Sequence, residues 1–486
     1  MSFNKAGKTE YDAVIIGSGP NGLAAAILCA SQGLSVLLVE GRDTIGGGAR
    51  SAELTLPGFT HDVCSAIHPL AVTSPFFKQL HLEKFGLEWR FPPASLAHPQ
   101  ENYRSALVYP SLDETADDLG KDRRSYLQLM QPLLEDWGRL SVDLLGALRI
   151  PRHLLALARF GLLALNSAAG LAQRRFKTDA AKALFAGMAG HAMLPLTSFA
   201  SASFGLVLSL SAHAVGWPLA VGGSQSIINA LGGCLRELGG QIQTGWYVRR
   251  LEELPASHVV LLDISPRQLL DLAGEKLSAL YRRQLSRYRY GQGVFKVDWA
   301  LDGPIPWRDK RIHQSATVHL GETLEEISRS ESQVWQGKHP EKPYVLLSQP
   351  TLFDPSRAPQ GKHTAWAYCH VPAGSQTDMR SRIEAQIERY APGFCERILG
   401  FHCINAAEYE VYNPNYIGGD INSGVQDLRQ FFTRPVMRWN PYSTPLKGVY
   451  LCSASTPPGG GVHGMCGYLA AKSALQREFG LHVERV

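Results

Sequence analysis

The first apolar segments of the chain predict a strand, a turn and a helix in direct succession. Residues 12–16 form a short β-branched run, and residues 23–30 form an apolar stretch of helix-forming residues after a turn rich in glycine. A second apolar run at residues 34–39 follows. Short apolar runs that alternate with a helical segment are typical of a parallel sheet, so the chain is predicted to begin with a βαβ unit.

The turn between the first strand and the helix carries a dinucleotide-binding pattern. Gly17, Gly19 and Gly22 have the spacing G-x-G-x-x-G, and Glu40 directly follows the second strand. Glycines let backbone N–H groups approach a pyrophosphate and let the helix pack closely, while an acid at this position accepts hydrogen bonds from ribose hydroxyls. Because Glu40 would repel a 2′-phosphate, the pattern predicts FAD or NAD.

Two further glycine clusters favour FAD over NAD. Gly46, Gly47 and Gly48 follow Glu40 within ten residues, where an NAD-binding unit would continue into an ordinary crossover. Near the other end, the segment 448–475 contains a strand, a Gly/Pro loop and a helix, with a second formal G-x-G-x-x-G. Too few residues remain before Val486 for a second nucleotide unit. This loop is therefore predicted to return to the first unit and to direct a helix N-terminus at the flavin.

These motifs together resemble the phytoene desaturase-like flavoproteins, a branch of the amine-oxidase/glutathione-reductase-type FAD superfamily. The resemblance covers most of the chain and extends to residues 57–65, 222–225, 391–394 and 418–424, which are closest to the branch of desaturase-like proteins with a pyridine nucleotide-disulfide oxidoreductase domain. One departure is that Gly48 and Ala49 separate the glycine pair from the arginine, Arg50. The motifs and the resemblance give this set of expected FAD-binding residues: Gly17, Gly19, Pro20, Asn21, Gly22, Glu40, Gly41, Gly46, Gly47, Gly48, Arg50, Val248, Ser455, Gly460, Gly461, Val462 and His463.

The placement of the nucleotide elements predicts an α/β fold with a discontinuous Rossmann-type FAD-binding domain and two insertions. The FAD-binding parts are residues 1–75, 215–265 and 440–486, and the insertions are a helical substrate or membrane-proximal block at 76–214 and a substrate domain with an antiparallel sheet at 266–439. Within the second insertion, strands are predicted at 294–301, 316–320, 344–348 and 364–370, and a helix at 381–390.

Composition agrees with a large enzyme that binds no nucleic acid. The 486 residues are 45% hydrophobic, and 48 basic against 43 acidic residues give a mild net charge of +5, without a basic cluster interleaved with aromatics. The eight cysteines form no C-x-x-C pair and no metal-ligand spacing, so we expect no metal site and no redox disulfide. The first ten residues have no apolar core, so a cytoplasmic protein without a signal peptide is predicted.

One apolar segment leaves two interpretations open. Residues 154–172 are interrupted by Arg159 and Asn166, and basic side chains flank the segment on both sides. It is either an amphipathic helix in peripheral contact with an anionic membrane or a helix that covers the substrate cavity, and both can hold. The flanking residues are Arg149, Arg152, His153, Arg174, Arg175 and Lys177.

The expected chemistry is hydride transfer from an apolar small-molecule substrate, such as an isoprenoid or carotenoid-like molecule, to flavin N5. No second nucleotide unit lies between Arg50 and Gly448, so we expect electrons to enter from the substrate and to leave to O2 or a quinone. The alternatives are a flavin amine oxidase with Lys296 as its lysine, a redox-neutral isomerase, and a non-enzymatic lipid-binding protein.

No catalytic residue is assigned by a motif, and oligomeric state is left open. His68 and His463 are candidates for proton carriers because they adjoin predicted flavin loops. Trp439 and Tyr442 precede the last strand, at the position where related amine oxidases wall the substrate with aromatic residues, and core packing is the favoured interpretation of both. Tyr442 is a weak catalytic candidate, and Asp420 is interpreted as a turn residue.

Overall fold

The structure is a computed structural model that describes residues 10–101, 104–147 and 152–484. Residues 1–9, which bear on the prediction that there is no signal peptide, lie outside this range. So does Arg149, one of the basic residues that flank the segment 154–172. In chain order, the strands of the described residues are β1 Tyr11–Ile16, β2 Val36–Val39, β3 Ser51–Glu53, β4 Thr60–Asp62, β5 Trp89–Arg90, β6 Leu96–His98, β7 Ala106–Val108, β8 Leu219–Ala220, β9 Gln241–Gln243, β10 Ser257–Leu262, β11 Gly293–Leu301, β12 Thr317–Leu320, β13 Val345–Ser348, β14 His363–Val371, β15 Ile398–Ile404 and β16 Val449–Leu451.

The helices, in the same order, are α1 Pro20–Ser31, α2 Pro69–Thr73, α3 Pro75–Gln79, α4 Leu112–Asp118, α5 Arg123–Glu135, α6 Trp137–Leu144, α7 Leu154–Ala164, α8 Ala168–Arg175, α9 Asp179–Gly190, α10 Ala202–Ala214, α11 Gln225–Glu237, α12 Pro266–Ala273, α13 Ala279–Leu285, α14 Leu324–Trp335, α15 Arg380–Tyr390, α16 Ala406–Tyr412, α17 Leu428–Thr433 and α18 Met465–Glu478.

The nucleotide-binding sheet is assembled from three separate parts of the chain. Its five strands have the order β16-β10-β1-β2-β9 and are all parallel, with Ile16 of β1 between Leu262 of β10 and Val39 of β2. Apolar residues of α1, α11 and α18 pack on one face of this sheet, and those of α12 and α13 pack on the other. Burial on both faces explains why β1, β2 and β10 are continuous apolar runs. The α/β class and the discontinuous Rossmann-type domain are confirmed.

The second sheet has seven strands in the order β15-β11-β14-β13-β12-β6-β7, antiparallel except between β12 and β6. Strands β11 to β14 and helix α15 correspond to the elements predicted for residues 294–390. Strands β6 and β7 come from residues 76–214, which were predicted to be helical. Each has three residues, so tertiary pairing at the sheet edge, and not a local sequence period, determines them.

The apolar segment 154–172 is broken into two helices. The side chain of Asn166 donates to the carbonyls of Leu162 and Leu163 and ends α7, while the Ser167 hydroxyl accepts from the N–H of Gly170 and starts α8. The two helices are bent by 90°. Among the described residues, no single helix meets the length and apolarity needed to cross a membrane; this bent pair meets them jointly, by length and composition alone.

Candidate active site

The glycine turn between β1 and α1 has no room for side chains. Gly17 has φ +95°, and a Cβ at Gly22 would lie 1.9 Å from the Gly17 carbonyl oxygen. Helix α1 starts with Pro20, which needs no hydrogen-bond partner for its nitrogen. The next side chain, Asn21, is 6% exposed, and its Oδ1 has no partner among the described residues. The helix N-terminus and the bare backbone of the glycines fit a pyrophosphate, whereas the Asn21 Oδ1 is an acceptor and suits a donor group of a ligand.

Glu40 lies at the end of β2, beside this turn, as predicted from its position in the sequence. Its Oε2 accepts from the Ser18 N–H at 3.1 Å, and its Oε1 accepts from the Arg42 N–H at 2.9 Å. The Arg50 guanidinium pairs with the same carboxylate at 3.3 Å. The Ser18 hydroxyl also donates to Oε2. The carboxylate is therefore held in one orientation at the cavity wall, where Oε1 has a lone pair left for a ribose hydroxyl.

The glycine loop after Glu40 is shaped by close backbone approaches. Gly47 has φ +56°, and its Cβ position is 3.1 Å from the Gly19 Cα. At Gly48 a Cβ would meet the Tyr416 hydroxyl at 1.8 Å. The Arg50 guanidinium donates to the carbonyls of Thr44 and Gly47, so this arginine holds the loop as well as lining the cavity.

No local motif marks Asp263, which the structure places against the glycine turn. This residue follows β10, is 8% exposed, and accepts the Gly22 N–H at 3.0 Å through Oδ2. Burial and, to a lesser degree, the nearby Glu40 carboxylate raise the pKa of its carboxyl to about 7, although the Gly22 N–H acts in the opposite direction. A residue 241 positions from Gly22 thus contacts the same helix N-terminus.

The C-terminal loop reaches the cavity, but its histidine does not. Gly460, Gly461 and Val462 line the cavity beside the glycine turn of α1. His463 is 1% exposed, and its Nδ1 accepts the N–H of Met465 at 3.0 Å, so its Nε2 carries the proton and donates to the Gly459 carbonyl at 3.2 Å. Both ring nitrogens are therefore engaged in holding the start of α18.

His68 has a different environment from His463. It is 2% exposed, lines the cavity, and its Nε2 lies 2.8 Å from the Ser224 hydroxyl. Because that hydroxyl donates to the Ser65 carbonyl, His68 Nε2 is the donor and Nδ1 is an acceptor. Nδ1 has no hydrogen-bond partner among the described residues. Burial lowers the pKa of His68 to about 4, so the ring is neutral at neutral pH.

One cavity of about 540 Å³ connects the nucleotide elements with the second sheet. Beyond the glycine turn it is walled by apolar and aromatic side chains, among them Leu208, Trp217 and Leu346, and by the stacked rings of Trp366 and Tyr368, whose centroids are 5.9 Å apart. His191 also lines it, with its Nε2 3.0 Å from Nε2 of the buried His319. His191 was not among the residues predicted from sequence.

Most predicted cofactor-binding residues are brought together at this cavity. Those that line it are Gly17, Gly19, Pro20, Asn21, Glu40, Gly41, Gly47, Gly48, Arg50, Val248, Gly460, Gly461 and Val462. The others lie just behind its wall: Gly22, Gly46 and His463 support the two turns, and Ser455 bonds to the hydroxyl of Ser453 at 2.7 Å, which itself lines the cavity.

Other nominated residues lie away from the cavity wall. The Tyr442 hydroxyl is buried and donates to the Pro457 carbonyl, while Trp439 is fully exposed, so neither walls the cavity. Lys296 is 1% exposed and forms a buried ion pair with Asp298. Asp420 accepts the backbone N–H groups of Gly291, Asn422 and Gly424, which is the contact pattern of a residue that organises a turn.

Comparisons with known proteins agree with this geometry. The model of the NAD(P)-binding Rossmann-like domain family matches residues 15–80. The chain is 26% identical to pyridine nucleotide-disulfide oxidoreductase domain-containing protein 2 of Rattus norvegicus, over 96% of this chain and 93% of that protein. It is 22% identical to the lycopene-forming phytoene desaturase of Paracoccus sp., over 96% of both chains.

Among solved structures, a variant of putrescine oxidase shares the fold, with a TM-score of 0.62, 18% identity and coverage of 96% of this chain and 98% of that one. The sequence similarities confirm the resemblance to the phytoene desaturase-like oxidoreductases that the glycine motifs indicated, and the putrescine oxidase structure shows a shared fold. They imply a flavin or nucleotide cofactor, in agreement with the glycine turn and Glu40.

Proposed function

We propose that this chain is an FAD-dependent oxidoreductase that forms a C=C bond by removing a hydride from a largely apolar substrate, such as an isoprenoid or carotenoid-like molecule. The observation that carries the proposal is the single cavity that joins the glycine turn to the aromatic surface of the second sheet. Bound FAD would supply the hydride acceptor.

Each part of the cavity has residues suited to one part of FAD. The turn from Gly17 to Gly22 offers the α1 N-terminus to the pyrophosphate, and Glu40 offers its carboxylate to the ribose. The backbone of Gly460–Val462 is left for the flavin ring, next to the start of α18. These residues belong to three separate parts of the chain, so cofactor binding depends on the assembled fold.

The part of the cavity next to the second sheet, where we place the substrate, excludes water and contains a proton acceptor. Leu208, Leu346 and Trp217 form an apolar wall. To form a C=C bond, one carbon of the substrate loses a hydride and the neighbouring carbon loses a proton, which a base must accept. His68 Nδ1 is an acceptor without a partner among the described residues, on a neutral ring that lines the cavity. We assign the proton-accepting role to His68 on this basis.

Substrate is also the proposed source of electrons, with O2 or a membrane quinone as the acceptor. The described residues form one parallel nucleotide-binding sheet, and the family model matches one Rossmann-like segment, at 15–80. FAD would occupy this nucleotide-binding unit, so the described residues offer no second nucleotide-binding unit to NADH or NADPH. The protein is proposed to act in the cytoplasm, with peripheral membrane contact.

The purified protein tests the proposal through its own absorbance spectrum. We expect a yellow protein that releases FAD on denaturation, is not bleached by NADH or NADPH under anaerobic conditions, and is bleached by an apolar polyene such as phytoene. Bleaching by putrescine or cyclohexylamine in place of polyenes would identify an amine oxidase. Conversion of a polyene without net bleaching would identify an isomerase, and a colourless protein that fails to take up FAD would exclude the flavoenzyme proposal.

A further inference from the structure

A row of polar side chains crosses the cavity face of the second sheet. Thr317 of β12 pairs with Ser348 of β13, and Ser348 pairs with Trp366 of β14. All three residues line the cavity. Since side chains alternate between the two faces of a sheet, their neighbours Val318, Leu347 and Ala367 point the other way, into the apolar core.

The polar atoms of this row have no hydrogen-bond partner among the described residues. They are Thr317 Oγ1, Ser348 Oγ and Trp366 Nε1, and the three residues are 6%, 0% and 6% exposed. Buried polar groups in native proteins are nearly always satisfied, because leaving one unpaired costs its full desolvation free energy. Valine or alanine would line an entirely apolar pocket at lower cost, so three unpaired groups in one row indicate a polar atom in the ligand.

The surroundings of the row limit the charge of that atom. Asp298 continues the same row beyond Trp366, and Lys296 lies on the same strand two residues away. These two side chains form a buried ion pair, so their charges offset each other. A buried charge on the ligand would then lack a counter-charge here, which disfavours a carboxylate or an ammonium group. The Trp366 indole N–H is a donor alone, so the ligand atom must be an acceptor.

We propose that the substrate carries an uncharged oxygen, as a carbonyl or hydroxyl group, which is bound by Thr317, Ser348 and Trp366. This inference rests on the proposed function, because it takes the cavity to be the substrate site. The inference changes the proposed substrate class from a pure hydrocarbon to an oxygenated lipophilic molecule. Its oxygen would bind to the polar row, and its apolar chain would pack against the apolar wall.

The test compares ligands of equal chain length that differ in one group: dodecane, methyl decyl ketone, dodecanol, dodecylamine and dodecanoate. Each is presented to the FAD-loaded protein from a common cyclodextrin reservoir, and the bound amount is quantified after separation. We expect the ketone or the alcohol to bind about tenfold more tightly than dodecane, the amine or the carboxylate, as a pair of hydrogen bonds would give. Which of the two binds more tightly identifies the oxygen group.

The variants Thr317→Val and Ser348→Ala, alone and combined, should reduce the preference for the oxygenated ligand several-fold while leaving dodecane binding unchanged. Thr364→Val is the matched control: Thr364 lies on the same sheet and its Oγ1 is also buried and unpaired, but it does not line the cavity. This variant should keep the full preference. FAD content and the free energy of unfolding of each variant show that it is folded.

Several outcomes would overturn the inference: equal binding of dodecane and the ketone, tightest binding of the amine or the carboxylate, no binding of any probe, or an unchanged preference in the Thr317 and Ser348 variants. Failure of the proposed function gives a different signature, since it appears as absent FAD or as flavin that neither a hydrocarbon polyene nor an oxygenated polyene bleaches, whereas ligand preference is measured without turnover.

Discussion

Among individual residues, Gly19 sets how close a ligand can come to the turn after β1. A Cβ at this position would lie 2.8 Å from the Asp263 carboxylate, on the cavity side. We expect Gly19→Val to lower FAD affinity by at least about a hundredfold, because its branched side chain would occupy the approach of the pyrophosphate. Fluorescence titration of the apoprotein with FAD measures this.

Gly138→Ala is the control, because a Cβ there meets no heavy atom within 4 Å. It should bind FAD as the unmodified protein does. A Gly19→Val protein that is yellow at full flavin occupancy would show that the pyrophosphate does not lie at this turn.

Asp263 should make FAD binding depend on pH. Its carboxyl contacts the helix N-terminus that we propose binds the pyrophosphate, and burial followed by the Glu40 carboxylate raises its pKa to about 7. Below pH 7 Asp263 is protonated and neutral; above pH 7 it is ionised and repels the phosphates. FAD affinity is thus expected to fall as pH rises through 7. The other titratable groups around it, Cys452 and Cys466, are thiols whose pKa burial raises, so they stay neutral in this range.

Asp263→Asn keeps an acceptor for the Gly22 N–H and removes the titration. Its FAD affinity should be nearly constant from pH 6 to pH 8, and equal to or higher than that of the unmodified protein at pH 8. Asp302→Asn, which changes an exposed carboxylate paired with Lys362, is the control and should keep the pH dependence. A fall in affinity of equal size in Asp263→Asn would contradict the assignment.

Local patterns were sufficient for some site residues and not for others. Gly17, Gly19 and Glu40 could be predicted because a strand, a turn and a helix adjacent in sequence place them at fixed spacing. Asp263 and His191 could not, because long-range folding alone brings them to the cavity. His463 adjoins the predicted loop in sequence, yet its ring turns back to hold α18, a choice of orientation that spacing does not encode.

Among the helices, α7 has an unusual distribution of leucines. Its buried face is formed by Ala156, Phe160 and Ala164, while Leu155 and Leu162 on the outside are 88% and 78% exposed. Exposed leucines beside basic side chains are typical of helices that lie in a membrane interface, where apolar side chains enter the acyl boundary and cations contact lipid phosphates. We propose that α7 and the exposed arginines of α8 form the membrane contact.

Replacing both leucines, Leu155→Asp with Leu162→Asp, should weaken binding to anionic liposomes by at least about tenfold, since each leucine loses about 1.5 kcal/mol or more of apolar burial. Co-sedimentation measures binding, and FAD content should be unchanged. Leu280→Asp is the control, because Leu280 is 68% exposed on α13, away from this helix.

The double variant Arg174→Glu with Arg175→Glu should also bind anionic liposomes more weakly than the unmodified protein. This difference should become smaller as salt is added, because exposed charges are screened within about 10 Å at 0.1 M. If the unmodified protein does not bind anionic liposomes at low salt, the membrane proposal fails. The segment then acts as a cover of the cavity alone.

Element prediction succeeded where a strand or helix is long. Strands β11 and β14, with nine residues each, were located to within about a residue, and α15 likewise. The same period could not identify β6 or β7, which depend on partners elsewhere in the sheet. The hydrophobic pattern also predicted α7 and α8 as one helix, because it contains no information about the hydrogen bonds of Asn166 and Ser167 that divide them.

For the whole molecule, Arg357 connects segments that the sequence keeps far apart. It is fully buried and forms ion pairs with Asp62 of β4 and Asp354, and it donates to the carbonyl of Ala220 in β8 at 2.7 Å. Asp62 adjoins the loop that carries Ser65 and His68, whereas Asp354 follows β13 of the second sheet. The guanidinium therefore links β4 and β8 to the segment that follows β13 in the second sheet.

Arg357→Met should lower the free energy of unfolding by about 3–5 kcal/mol, because it leaves two carboxylates buried without a counter-charge. Urea unfolding at neutral pH measures this. Arg123→Met, at an exposed arginine paired with Asp113 and Asp117, is the control and should cost less than about 1 kcal/mol.

The same ion pair predicts how stability depends on acid. Burial alone would raise the pKa of Asp62, but the Arg357 guanidinium and the N–H of Ser224 lower it to about 2. A carboxyl whose pKa is lowered by folding stabilises the protein above its unfolded pKa of about 4, and this contribution is lost as the pH falls toward 2. Asp62→Asn should remove that part of the acid dependence.

Combined with Arg357→Met, Asp62→Asn should also recover part of the stability that Arg357→Met loses, because one of the two uncompensated charges is gone. If the double variant is instead as unstable as the sum of the two single variants, the residues are not coupled and Arg357 does not link β4 to the second sheet through Asp62.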